Sequence, residues 1–189
     1  MNEKMLYLLA LIWGFAEATL FFIIPDVFLS LIALKNLRLG IKACVWALIG
    51  ALIGGLLMYF WAIWDYGGVL VVIEKIPAIN QKMITQVAEE VNGIGIRAVF
   101  LGPPQGIPYK LYAIQSAHHG LSLIGFILAS IPARGFRFLF VTYFSHFICI
   151  RVLKMKKPYI YLAMFWLGFY TWYFANFLGL EEVYKKTTS

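Results

Sequence analysis

Hydrophobic positions run through this chain in long, nearly unbroken stretches, separated by short polar punctuation. Met5–Leu34 is apolar except for Glu17 and a Pro25–Asp26 break. As one straight helix it would run roughly 45 Å, against a bilayer hydrocarbon core of about 30 Å. Proline also removes a backbone donor and ends a helix. The pattern therefore predicts two shorter arms over 5–34 that enter and leave on the same side, a re-entrant hairpin. Such backbone survives at membrane depth only where protein or a water-filled cavity covers it.

The next apolar run, 43–64, carries no charge and predicts a transmembrane helix. Gly50, Gly54 and Gly55 give it a close-packing face, and Trp61, Trp64 and Tyr66 an aromatic belt before "DYGG" stops it. Residues 76–93 differ in kind. Ile79, Met83, Val87 and Val91 recur every fourth position among Lys82, Gln86, Glu89 and Glu90. That period predicts an amphipathic helix, begun after Pro77, stopped by Gly93 and lying on the membrane surface.

Residues 94–119 form a second broken apolar segment. Its middle reads "GPPQGIPYK", placing Gly102, Pro103, Pro104, Gly106 and Pro108 beside Gln105 and Lys110. Both flanks are too apolar for a surface loop and too short to cross alone, so a second re-entrant hairpin is expected. Two more spans follow, 120–150, interrupted by "PARGFR", and 159–178.

Basic residues punctuate these spans. Lys35, Arg38 and Lys42 form one cluster; Arg151, Lys154, Lys156 and Lys157 form another. Both are expected on the cytoplasmic side. The full crossings then alternate, and the two hairpins open to opposite sides. The result is an inverted repeat, hairpin plus span, of the kind that places transporter sites at the bilayer midplane. The expected fold is an all-α integral membrane protein: two oppositely oriented re-entrant hairpins, about three full transmembrane helices and one interfacial helix, in a single domain over 1–189.

Composition agrees. The chain has 189 residues, of which 62% are hydrophobic and 13% charged, with mean hydropathy +0.80. A soluble domain of this length could not hide so much apolar surface. The net charge of +7 lies in short clusters between apolar runs, which argues against nucleic acid and for membrane orientation. Cys44 and Cys149 fall inside expected spans and read as small buried residues, with no disulfide or metal spacing. No cofactor is expected.

The candidate chemistry is a small set of charges in apolar surroundings. A carboxylate at the bilayer centre costs about 3 kcal/mol on insertion scales. Glu17 therefore reads either as the structural partner of a buried base or as an ion-pairing or proton-titrating group on a transport path. Asp26, at the expected hairpin tip, suits a helix cap, a role compatible with function. Lys110 offers a compact cation for phosphate. Arg134 and Arg137, three apart, share a helix face; they read as snorkelling side chains, a phosphate clamp, or partners for Glu17 and Asp26. His118 and His119 are adjacent, so they diverge on a helix, and they read as an interfacial capping pair.

This ordered set of features resembles the DedA family, also called VTT-domain or SNARE-associated-type membrane proteins. The set is a glutamate, a Pro–acid pair, "GALIGGLLMYF", a Pro/Gly-rich break with a basic residue, and a small-residue span with paired arginines. The resemblance covers roughly residues 10–178. It implies two facing re-entrant hairpins in a helical bundle of the cell membrane. It also implies movement of lipids, phospholipid or polyprenyl phosphate, in a flippase- or scramblase-like manner with dependence on the proton gradient. By motif, Glu17 and Asp26 match the acidic pair of the first hairpin and Lys110 the basic residue of the second. Arg134 and Arg137 fall in the basic span. The family's Arg–aromatic–x–Pro run is absent, with Gly102 in that neighbourhood.

The leading expectation is thus a multi-pass lipid transporter of the inner or plasma membrane. A headgroup phosphate would be held by Lys110, Arg134 and Arg137, with Glu17 and Asp26 competing for those cations. H+ or Na+ is the candidate coupling ion, and membrane lipids are the expected partners; homo-oligomerisation stays open. An ion-coupled transporter of a small solute or cation would use the same residues. An intramembrane lipid-phosphate enzyme would need an oriented nucleophile, for which Ser116 near the two histidines is the one candidate.

Overall fold

The structure is a computed structural model that describes residues 2–77, 79–102 and 105–188, with side chains as far as residue 175. Every regular element among them is helical. Helix α1 spans Glu3–Thr19, α2 Asp26–Lys35, α3 Leu37–Trp64, α4 Tyr66–Ile73 and α5 Gln81–Ile94. They are followed by α6 Arg97–Leu101, α7 Tyr109–His118, α8 Leu123–His146 and α9 Pro158–Thr188. A π-helical turn, Phe147–Val152, extends α8.

Two helices, Leu37–Trp64 and Leu123–Val152, are long and apolar enough to cross a membrane. Their outer faces carry large apolar side chains in the open: Ile53, Leu57, Phe60 and Ile63 on α3, Ile124, Leu128 and Phe136 on α8. A water-soluble chain rarely exposes so contiguous a surface. It fits hydrocarbon as the surrounding solvent.

Backbone contact between α1 and α3 rests on glycine. A Cβ on Gly14 would land on the Ala47 carbonyl, one on Gly50 on the Leu11 carbonyl, and one on Gly54 would lie 2.8 Å from the Phe15 carbonyl. Tyr7 stacks on Trp46 one turn earlier. These pairs advance together, so α1 and α3 run side by side in the same direction. After α1 the chain breaks at Leu20–Pro25, and α2 returns to the end where α3 begins. Helix α8 runs antiparallel to α3: Tyr59 donates to the Leu121 carbonyl near one end, and Cys44 packs on Thr142 toward the other.

The second broken segment enters from the opposite end. Ile96 sits against Gly125 at the start of α8, and α6 runs inward alongside α8. Helix α6 ends at Leu101, and from Tyr109 α7 returns along α3, with Tyr109 against Gly55 and Gln115 hydrogen-bonded to Tyr66. Pro103 and Pro104, placed at this break from the sequence, lie outside the described residues.

Several boundaries differ from the sequence expectation. Helix α3 starts at Leu37 because Asn36 caps it, accepting from the Arg38 and Leu39 N–H groups. "DYGG" interrupts but does not end the helical path: Asp65 accepts from Gly68 N–H at 2.8 Å and opens α4. "PARGFR" does not break α8, which runs through Pro132. Helix α5 is capped by Asn80 and ends before Gly95 at φ 61°. Its apolar face is used inside the protein: Ile84, Val87 and Val91 are buried in the main core with α6 and α7.

Candidate functional site

The first break begins five residues earlier than the proline suggests, and several backbone groups freed there find partners elsewhere in the chain. Phe21 N–H bonds back to the Ala16 carbonyl at 2.8 Å. The Phe21 carbonyl accepts from Lys110 Nζ at 2.6 Å. The Ile23 carbonyl accepts from Trp13 Nε1 at 3.0 Å, and Ile24 N–H donates to the Tyr170 hydroxyl at 2.9 Å. Backbone polar groups at depth require such closure. Here it comes from α1, α7 and α9 together, so the break is a point where distant parts of the chain converge.

The acids flank this break. Glu17 occupies the last turn of α1 and is 4% exposed; Asp26 is the first residue of α2 and 1% exposed. Asp26 makes no capping hydrogen bond. Both acids turn to α8. Arg134 Nη1 donates to Glu17 Oε1 at 3.3 Å, and its Nη2 pairs with Glu17 Oε2. One helical turn on, Arg137 donates from Nε at 2.9 Å and Nη2 at 2.7 Å to Asp26 Oδ2. The three-residue spacing thus sets two acid–base pairs in a ladder between the first broken segment and α8.

The two pairs differ in environment. Arg134 is fully buried, and its guanidinium lies 4.9 Å from the ring centroids of both Tyr109 and Phe138. Tyr109 is fixed in turn by its hydroxyl, which donates to Ser130 Oγ at 2.8 Å. A Cβ on Gly55 would sit 2.8 Å from Tyr109 Cε1, so glycine there makes room for the ring that covers the arginine. The Arg137 side chain keeps 22% of its exposure. Asp26 Oδ1 and Arg134 Nε are buried without a hydrogen-bond partner among the described residues.

A cavity of about 640 Å3 opens beside the ladder, within the range of small-molecule sites. Glu17, Asp26, Lys110 and Arg137 stand in its wall. About half of the remaining lining is aromatic, from Phe21 and Phe22 at the first break, from α8, and from α9, including Trp166 and Tyr170, and nearly all of the rest is aliphatic. On α8, Phe136, Phe140 and Phe144 line it while remaining 70%, 53% and 51% exposed. The cavity is therefore open sideways through that ladder of rings, not sealed within the bundle.

The candidate residues named from the sequence separate into groups. Glu17, Asp26, Lys110, Arg134 and Arg137 come together. Arg134 lies behind the cavity wall, and neither arginine snorkels. Gln105 is exposed and folds back on the Leu101 carbonyl at 3.3 Å, away from the cavity. Of the break residues, Gly106 and Pro108 line the cavity, and Gly106 has φ 87°, open to glycine. Gly102 is packed so closely that a Cβ would fall on the Tyr112 hydroxyl. Pro25 precedes α2 in a turn.

His118 stacks on Tyr66 at 3.6 Å, and His119 places Nδ1 3.0 Å from the Gln115 carbonyl at the end of α7. Ser116 Oγ has no hydrogen-bond partner among the described residues, so neither histidine is aligned on it as a base. No group of three or more metal-ligating side chains occurs among the described residues. Cys44 and Cys149 are buried and unpaired with each other. Tyr109, Trp13 and Tyr170 were not singled out in the sequence; each reads there as one more aromatic in an aromatic-rich chain. No family model, curated protein or solved structure matches this chain.

Proposed function

We propose that this chain moves a lipid across a bilayer, passing a phosphate-bearing headgroup through the charged end of the cavity while the tail stays against the aromatic wall. One observation carries the reading. Four charged side chains stand together in a cavity whose other walls are aromatic and aliphatic and open sideways to the apolar surround. A ligand that matches this division has a compact charged head and a long apolar tail.

The sign of the head follows from the charges. Lys110, Arg134 and Arg137 face Glu17 and Asp26, so the cluster carries one excess positive charge with all groups ionised. That favours an anion. Lys110 serves as a point cation held at the cavity wall, with donors beyond the one given to Phe21. Arg137 offers a planar fork suited to phosphate, restrained by Asp26. Arg134 acts behind the wall by holding Glu17. Protonating Asp26 would release Arg137 to the headgroup. The unpartnered Asp26 Oδ1 is where H+, or Na+ as a second coupling ion, would arrive.

The membrane arrangement belongs to the same proposal. The two broken segments act as re-entrant hairpins from opposite leaflets, and α3, α8 and α9 cross fully. The end bearing Lys35, Arg38, Lys42 and Arg151 faces the cytoplasm. The DedA resemblance supports this reading and suggests phospholipid or polyprenyl phosphate as cargo. Ion-coupled transport of a small solute is a second reading, favoured by the same unpartnered carboxylate oxygen. Reconstitution separates the two. In vesicles containing head-labelled anionic lipid, the protein should move headgroups between leaflets, and Glu17→Ala and Arg137→Ala should both lose that activity. Wild-type rates in both variants would overturn the mechanism, and solute uptake without lipid movement would favour the second reading.

A further inference from the structure

A second, smaller groove of about 390 Å3 lies on the outside of the bundle between α6 and α8. Ile96, Arg97, Phe100, Leu101, Ala129 and Pro132 form it. Its interior is apolar, and Arg97 is its one charged member. Two of its residues, Phe100 and Pro132, also line the main cavity. The two spaces are therefore neighbours that share one aromatic ring and one proline in their walls. Pro132 is part of the α8 backbone. Phe100 sits on the five-residue helix α6, next to the second break, and is 45% exposed.

Arg97 is placed unlike the two arginines of α8. Arg134 and Arg137 each hold a carboxylate; among the described residues Arg97 has no acid within ion-pair distance. It is exposed, in the first turn of α6, level with the start of α8. That is the end of the bundle opposite the basic clusters. Asp65, Glu74, Glu89 and Glu90 there balance Lys75, Lys82 and Arg97 almost evenly. No diffuse positive field would gather anionic lipid at this end, so a specific cation is needed to do it.

We infer that this groove is a lateral doorway for a lipid with an anionic headgroup: Arg97 holds the headgroup at the mouth, the first part of the tail lies on Phe100 and Leu101, and Phe100 is the partition to the main cavity. The inference rests on the lipid-transport reading and supplies its other end. The main cavity then has an opening through the α8 rings and a doorway at the far leaflet. The occupant is a lipid and not a free anion because everything beyond the guanidinium is apolar. Rotation of the Phe100 side chain joins the two spaces without moving a helix.

The test uses the full-length protein in phosphatidylcholine vesicles, with a trace of phosphatidylglycerol carrying a photoreactive diazirine near the headgroup end of one chain. A phosphatidylcholine probe with the same chain is the control. After irradiation, labelled peptides are mapped by mass spectrometry. The expected result is several-fold stronger labelling of Phe100, Leu101 and Ala129 by the anionic probe. Arg97→Gln should abolish that preference and Arg97→Lys should retain it. Equal labelling by the two probes, or an unchanged preference in Arg97→Gln, overturns the doorway. Translocation is scored in parallel, which keeps the two claims apart. Preferential labelling in a protein that moves no lipid would uphold the groove and reject transport. Lipid movement with no preference at the groove would do the reverse. Phe100→Trp, which enlarges the partition, should slow translocation several-fold while leaving labelling of Leu101 in place; an unchanged rate would remove Phe100 from the path.

Discussion

Replacing Arg134 with methionine should be among the most damaging single changes in this chain, and the damage should be largely reversed by also removing Glu17. Arg134 is fully buried and Glu17 nearly so, joined by two charge-assisted bonds. Truncating one member of such a pair leaves an uncompensated charge and destabilises by about 3–5 kcal/mol. Methionine also forfeits the guanidinium contacts to Tyr109 and Phe138, both at 4.9 Å, each worth roughly 0.5–2 kcal/mol depending on desolvation. The double variant Glu17→Leu with Arg134→Met removes both charges, and replacing a whole buried pair with apolar residues is often near neutral. Equilibrium unfolding in mixed micelles, run as a double-mutant cycle, gives the coupling energy directly. The expected coupling is large and favourable, on the order of 3 kcal/mol. Additive costs, or a single variant within about 1 kcal/mol of wild type, would show that the pair is not buried as described. Arg137 supplies the internal comparison: its side chain keeps 22% exposure while that of Arg134 keeps none, so Asp26→Asn, which strands Arg137, should cost clearly less than Glu17→Leu, which strands Arg134.

Gly55→Ala should destabilise by about 1–3 kcal/mol, read by thermal unfolding, because the added Cβ would sit 2.8 Å from Tyr109 Cε1 and push that ring off Arg134. Lys110→Met should leave the fold intact but speed amide exchange around Phe21, whose carbonyl loses its donor; headgroup translocation should fall in the same variant. Tyr170→Phe removes the acceptor of Ile24 N–H and should cost about 1–3 kcal/mol, with loss of hydrogen-exchange protection at Ile24. Gln105→Ala should translocate lipid at the wild-type rate, since the side chain is exposed and, among the described residues, bonds to the Leu101 carbonyl alone.

Charge in an apolar run is costly and hence conspicuous, which is why Glu17, Asp26, Lys110, Arg134 and Arg137 stand out in the sequence alone. The second break was equally legible, because glycine and proline declare it. The first break was legible in kind but not in place. Leu20–Ile24 contains no turn-forming residue, and its opened backbone is closed by Trp13, Lys110 and Tyr170, contacts that no local rule can supply. The close approach of α1 and α3 could be anticipated from Gly50 and Gly54, but not its partner glycine, Gly14. Helix α4 was hidden because "DYGG" reads as a stop, whereas the Asp65 side chain converts it into a cap. For α5 the period gave the helix, but a period cannot say whether the apolar face meets lipid or protein; here it meets α6 and α7. The cavity was illegible for a related reason. Its wall is drawn from aromatics on α8 and α9 that show no pattern separating those facing the cavity from those facing outward. Gln105 shows the converse: its polarity near a break suggests a ligand contact, while the structure gives its side chain a bond to the Leu101 carbonyl.

The central claim is that both breaks sit deep in the membrane, one reached from each side. Spin labels at Leu20 and Leu101, exposed residues beside the two breaks, measure this directly in vesicles, with Cys44 and Cys149 replaced to leave single labelling sites. The account predicts that both labels are accessible to oxygen and shielded from a water-soluble nickel chelate. Their depth should be on the order of 10 Å or more below the headgroups of a core about 30 Å thick. A label at Trp64, at the end of α3, should show the opposite preference. Nickel accessibility at Leu20 or Leu101 equal to that at Trp64 would place the break in water and contradict the account.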